Sequence, residues 1–156
     1  MKSINLKRVV FVLSLVLYAA QFSYAQERED TELTLIPVER EDGFYATIDY
    51  DPNKGKQDMA LEETPSITKE DILDAKKYFD NGYPYISVTL NKEGKNKFHL
   101  LTKENIGKPI AIVIDKHIVI SPIVQAPIPG GKVQIHGHFS EEEIDLMINK
   151  LKDKAN

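Results

Sequence analysis

Asn105-Ile106-Gly107-Lys108-Pro109-Ile110-Ala111-Ile112-Val113-Ile114-Asp115 is the stretch on which the reading of the chain turns. Ile110 to Ile114 are uninterruptedly apolar, and four of the five are β-branched. A run this short, with polar stops on both sides, reads as a strand buried on both faces. It is too short for a helix, and Pro109 stands at its mouth, where a helix would lose a hydrogen bond. A second apolar run, Ile118 to Ile120, follows after Asp115-Lys116-His117. The two runs predict a hairpin at the centre of the fold.

Working outward, Gly94 opens a helical stretch with Phe98, Leu101 and Thr102 on one side, ending near Asn105-Ile106-Gly107. Before it, Tyr85-Ile86-Ser87-Val88-Thr89-Leu90 alternates strictly, which puts Ile86, Val88 and Leu90 on one buried strand face. Thr68-Lys69-Glu70-Asp71 has the form of an N-cap with an acid at the third helical position. Ile72, Ala75 and Phe79 follow at helical spacing, so a helix is predicted up to Asn81-Gly82. Residues 51–66 combine Pro52, Gly55 and Pro65 with many charges and predict a long, mobile loop. Leu33 to Val38 and Phe44 to Tyr50 have strand composition, the first an edge because of Pro37.

Downstream, Pro122 ends or kinks the return strand, and Pro127-Ile128-Pro129-Gly130-Gly131 is a turn-rich crossing. The last strand is predicted over 132–139, with Val133, Ile135, Gly137 and Phe139 facing one way and Gln134, His136 and His138 the other. Ser140 with Glu143 forms a capping box, and Ile144, Met147, Ile148 and Leu151 make one apolar stripe. The predicted class is α+β: a single domain over 33–156, with a mixed or antiparallel sheet and about three helices on one face.

The first 25 residues are read separately. Lys2, Lys7 and Arg8 precede a twelve-residue apolar core from Val9 to Ala20, and Ser23-Tyr24-Ala25 supplies small residues ahead of Gln26. This is the pattern of a signal peptide cleaved between Ala25 and Gln26. An uncleaved anchor would need roughly 20 apolar residues. Residues 26–32 are expected to fray, and no stable membrane insertion is expected after cleavage. The remaining chain keeps 24 acidic residues against 20 basic residues less the three of the leader. So acidic a domain is a poor nucleic-acid ligand. With no Cys there is neither disulfide nor thiolate chemistry. The chain is expected to be exported, either to a periplasm or out of the cell.

From Leu33 to Leu151 the sequence resembles the head part of the first periplasmic domain of SecD, a membrane subunit of the bacterial protein-export machinery. The matching pieces are Leu33 to Val38, Asp74-Ala75, Tyr85 to Leu90 and Glu93-Gly94. They continue through Phe98, Leu101-Thr102, Asn105 to Lys108, Ala111 to Asp115 and Ser121-Pro122, and close on Ile128, Gly130-Gly131, Gln134-Ile135, Gly137 and Phe139. The resemblance implies the head fold and a tendency to handle polypeptide. In SecD a Gly follows the hairpin Asp; here Lys116 stands there, which points to a different turn type, because positive φ is costly for Lys. In SecD six membrane helices follow the head. They are not expected before Asn156, and neither is the transport activity that needs them.

Few residues point to chemistry. His136 and His138 share a strand face and, with His117 or Asp115, form the one candidate metal set; solvated polar positions are the plainer reading. There is no nucleophile elbow and no phosphate loop, and Asp115 as a general base is weaker than Asp115 as a turn residue. Tyr45, Tyr50, Tyr78, Tyr83 and Tyr85 suit strand packing or protein contacts. No catalytic residue and no cofactor is expected. The expected activity is non-enzymatic binding of an extended or unfolded polypeptide, or of another envelope protein, at a strand edge or in a groove. Pro122, Ile123, Val124, Pro127 and Ile128 are the candidate contacts, because apolar side chains in irregular backbone are the hardest to bury. The alternative is a small exported metal-binding protein or hydrolase using the His136/His138 face.

Overall fold

The computed structural model describes residues 35–55 and 58–153. The expected leader, the fraying segment 26–32 and Leu33-Thr34 lie outside these residues. The apolar run is β6 (Ile110–Ile114), the central strand of a five-stranded antiparallel sheet ordered β1-β7-β6-β2-β3. Its neighbours are β2 (Gly43–Ile48) and β7 (His117–Ile120), and its edges are the two-residue strands β1 (Ile36–Pro37) and β3 (Ala60–Leu61). Burial on both faces is met by two cores. Ile110, Ile112 and Ile114 join the main core, while Ala111 and Val113 pack with Tyr45, Leu61 and Ile118 in a smaller one. β3 arises within the segment predicted as loop, where Leu61 is held by its packing in the smaller core.

β6 and β7 form the expected hairpin, but its turn is not the altered one predicted. Asp115 and Lys116 have φ of 52° and 60°, so both central positions stay in the left-handed region that a type I′ turn requires. The register of the buried β6 and β7 side chains holds Lys116 in this conformation. Lys116→Gly is therefore expected to raise stability by about 0.5–1 kcal/mol, the relieved strain less the added unfolded-state entropy. The denaturation midpoint measures it. The ion pair lost with it, Lys116 to Glu39 at 3.9 Å, is exposed on both sides and contributes little.

The helix predicted from the Thr68 cap to Asn81-Gly82 is not formed. Lys69–Asp71 makes one 3-10 turn, in which the Asp71 carboxylate accepts from Thr68 N at 3.0 Å, and the chain then runs as β4 (Ile72–Asp80). Asn81 (φ 49°) and Gly82 (φ 85°) are the turn of a hairpin into β5 (Tyr83–Leu90), not a helix end. The spacing of Ile72, Ala75 and Phe79 fits a helix, but eight residues paired along β5 outweigh it. A bulge between Ile72 and Asp74 shifts Leu73 out to solvent. β8 (Lys132–Ile135) completes a second antiparallel sheet, ordered β4-β5-β8, and stops short of the predicted Phe139.

Two α-helices cover this frame, one fewer than expected because the first became β4. α1 (Lys92–Glu104) is capped by Asn91, which accepts from Gly94 N at 2.8 Å, and buries Phe98, Leu101 and Thr102. α2 (Glu141–Lys152) has the predicted capping box, with Ser140 N donating to Glu143 Oε2 at 2.7 Å. Its stripe Ile144, Met147, Ile148 and Leu151 enters the main core with Ala75, Ile86 and Val88. Lys77 on β4 reaches Glu141 at 3.2 Å and Asp145 at 2.9 Å, fixing α2 across the strand. No helix among the described residues is long and apolar enough to cross a membrane.

Candidate functional site

The segment after β7 does not fold back into a sheet. Short bridges stitch it to the end of α1: Gly107 N donates to Val124 O at 2.9 Å, Val124 N to Lys108 O at 3.0 Å, and Ile110 N to Pro122 O at 3.0 Å. These bonds drive Val124 into the core (7 % exposed) and leave Ile123 (46 %) and Ile128 (41 %) outside. Thr102 fixes the far end. Its buried hydroxyl bonds Phe98 O at 2.9 Å and accepts from Ile128 N at 2.9 Å. Pro122 and Pro127 limit the conformations of the span between these anchors.

The outcome is an open cleft of about 450 Å³, within the range of ligand sites. All five candidate contacts line it: Pro122, Ile123, Val124, Pro127 and Ile128. Its floor comes from elements the sequence reading did not connect to them, namely Phe98 and Thr102 of α1, Ile110 and Ile112 of β6, and Lys132, Val133 and Gln134 of β8. Phe98 meets Phe44 edge-on, with ring centroids 6.1 Å apart, so the floor is continuous with the main core. Lys132 is the one charged side chain in the lining.

The histidines do not converge. His117 is on β7 of the first sheet, where its Nδ1 lies 2.7 Å from Asp115 O. His136 follows β8 of the second sheet, so the two belong to different sheets and do not form the candidate metal set. His136 stacks on Tyr85 at 4.4 Å, and Tyr85 stacks on Tyr78 at 5.9 Å. His138 lies beyond the end of β8, past Gly137, whose missing side chain leaves room for the Phe139 ring. Among the described residues no three His, Cys, Asp or Glu side chains stand where they could hold a metal ion.

Asp115 lies in a charged cleft of about 670 Å³ with Lys69, Lys116 and Lys150. The Lys150 ammonium, 2.7 Å from its carboxylate, holds the Asp115 carboxyl below its usual range. That is the wrong direction for a general base working near neutrality. Lys69 is engaged with Asp42 at 3.2 Å, so the lysines of this cleft are paired with its own carboxylates. Tyr45, a candidate for strand packing or protein contacts, is fully buried and donates to Glu41 O at 2.7 Å.

The chain is thus an α+β domain of two antiparallel sheets and two helices, with a mostly apolar cleft beside β8 of the smaller sheet. A family model for the SecDF P1 head subdomain matches residues 45–154, and the chain belongs to this family. It is 41 % identical over 80 residues to the protein translocase subunit SecDF of Thermus thermophilus, covering 51 % of this chain and 11 % of that one. It is 42 % identical over 90 residues to the protein translocase subunit SecD of Rhodobacter capsulatus, covering 56 % and 16 %. The chain thus spans less than a fifth of either relative's length. A solved structure of SecDF, a membrane component that enhances protein export, superposes with a TM-score of 0.60 at 27 % identity, over 72 % of this chain and 63 % of that one. SecDF in the super-membrane-facing form gives 0.57 at 29 % identity, over 70 % and 18 %.

Proposed function

We propose that this protein is an exported, non-enzymatic module that holds extended or unfolded polypeptide in the cleft formed by Pro122, Ile123, Val124, Pro127 and Ile128, as an accessory to protein export or folding in the envelope. The observation that carries this reading is the cleft itself: an opening continuous with the main core, lined mostly by apolar side chains and with Lys132 as its one charge, in a domain whose relatives are translocase subunits. An unfolded chain offers what such a cleft lacks, apolar side chains on a backbone free to extend. Residues 1–25 support the location, since their charge, apolar core and Ser23-Tyr24-Ala25 suit cleavage before Gln26 and release into a periplasm or the medium.

Fluorescence polarisation of a labelled, unfolded apolar peptide tests the proposal. Saturable binding is expected, weakened at least tenfold by Ile123→Asp with Ile128→Asp, because each would place a charge against an apolar wall. Both positions are exposed, so the variant is expected to fold. Unchanged polarisation across a millimolar titration would count against the reading.

A further inference from the structure

The smaller sheet has an edge at β8, and its backbone is oriented in a way the side chains alone do not reveal. Leu90 N donates to Gly131 O at 2.7 Å, making Leu90 and Gly131 a hydrogen-bonded pair. From there the register runs Thr89 with Lys132, Val88 with Val133, Ser87 with Gln134, and Ile86 with Ile135. Antiparallel pairs alternate between bonded and unbonded, so Val133 and Ile135 bond β5 while the N–H and C=O of Lys132 and Gln134 aim away from it. The hairpin on the other side agrees. With Asp80 and Tyr83 closing the Asn81-Gly82 turn, Tyr83, Tyr85, Ser87 and Thr89 bond β4, leaving Ile86, Val88 and Leu90 for β8. No backbone partner for Lys132 or Gln134 on this outer side is found among the described residues. This row of unpaired groups borders the cleft, since Lys132, Val133 and Gln134 line it.

We propose that the polypeptide enters the cleft as an added β-strand, paired through its main chain with Lys132 and Gln134 of β8; this rests on the peptide-binding reading above. Strand addition satisfies two needs at once. The peptide's N–H and C=O meet the free groups of β8. Its alternate side chains fall on the same face as Val133 and Ile135, which is the face that joins the main core with Phe98, Ile110 and Ile112. The lining holds one charge, on Lys132, so the inward positions take uncharged apolar side chains and the outward ones take almost anything. Recognition through the main chain suits a protein that must accept many sequences. It also excludes proline at the paired positions.

The test compares a fluorescein-labelled ten-residue peptide of alternating leucine and threonine with the same peptide carrying esters in place of its four central amides. The esters remove N–H donors and keep every side chain. About a tenfold loss of affinity or more is expected for the ester peptide, the effect of losing about two hydrogen bonds. Gln134→Pro is the matching protein variant. It removes an outward N–H that β5 does not use, at an edge position where proline is tolerated, and is expected to weaken the amide peptide about fivefold or more with little change in melting temperature. If the amide peptide binds and the ester peptide binds within twofold of it, strand addition is wrong and the cleft recognises side chains only. If the amide peptide itself does not bind, the peptide-binding reading fails and this inference falls with it. Should Gln134→Pro not fold, the two peptides on the unaltered protein still decide.

Discussion

Phe44→Ala is expected to lower the unfolding free energy by about 3–5 kcal/mol, the usual cost of emptying a large buried aromatic site. Phe44 sits on β2, opposite Ile112 of β6, with no exposed surface. It supports the Phe98 ring edge-on, and Phe98 is part of the cleft floor. The loss therefore has two readouts. The denaturant midpoint falls, and under conditions where the variant is still folded its peptide affinity falls as well, because Phe98 no longer has a fixed backing. A conservative Phe44→Leu change recovers part of both, by filling most of the volume. A variant that loses stability but binds normally would separate the floor of the cleft from the core beneath it.

Asp71→Ala has the second largest expected effect, about 3 kcal/mol. Asp71 is buried at the junction between the 3-10 turn and β4. Its carboxylate accepts from Thr68 N at 3.0 Å, Thr68 Oγ1 at 3.3 Å and Lys97 Nζ at 2.9 Å. Its backbone oxygen accepts from Asn91 N at 2.9 Å, where α1 begins. Gly94 completes the junction: a Cβ there would lie 2.7 Å from Asp71 O and 2.8 Å from Asp71 Cβ, so the helix can approach only without a side chain. Removing the carboxylate abandons the Thr68 amide, while Lys97, which is partly exposed, can return to water. The cost is therefore set by the turn more than by the ion pair. Asp71→Asn is expected to cost about 1 kcal/mol, since an amide oxygen still accepts from Thr68 N. Chemical denaturation of the two variants side by side measures the difference; equal losses would assign the stabilisation to Lys97 instead.

The parts of the fold read well from sequence are those whose signal is local. β6 was legible because a buried strand needs apolar side chains on both faces, and Ile110 to Ile114 supply them without a gap. α2 was legible because Ser140, Glu143 and the stripe to Leu151 agree on one start and one face. Residues 72–80 misled because two local signals pointed to a helix while the decisive one was distant. Asn81-Gly82 fits either a helix end or a hairpin turn, and the choice lies with the alternating partner from Tyr85 to Leu90, whose pairing reaches from Tyr78 with Tyr85 out to Ile72 with Leu90. The division into two sheets is likewise a matter of which strands pair, and it has no local signature.

The same distinction runs through the site. Pro122, Ile123, Val124, Pro127 and Ile128 stand out as apolar residues in proline-rich backbone, and they line one cleft. Phe98, Ile112 and Val133 did not stand out, because each looks like an ordinary core residue of its own element. The free edge of β8 was less legible still: it depends on which backbone groups of Lys132 and Gln134 the neighbouring strand leaves unused. A strand bounded by Gly130-Gly131 on one side and Gly137 on the other is the one signal that a short, terminal strand lay there. The histidines misled in the opposite sense. Spacing placed His136 and His138 on one face, but the strand ends at Ile135, and His136 is taken up by Tyr85.

The central claim, that an extended apolar polypeptide occupies the cleft between the Pro122–Ile128 segment and β8, is tested most directly by following backbone amide resonances of the isotope-labelled protein during titration with an unfolded apolar peptide. Shifts are expected to concentrate at Thr102, Val124, Ile128 and Lys132 to Ile135, with the Tyr78-Tyr85-His136 stack on the other sheet face left undisturbed. Shifts centred on that aromatic stack, or none at millimolar peptide, would contradict it.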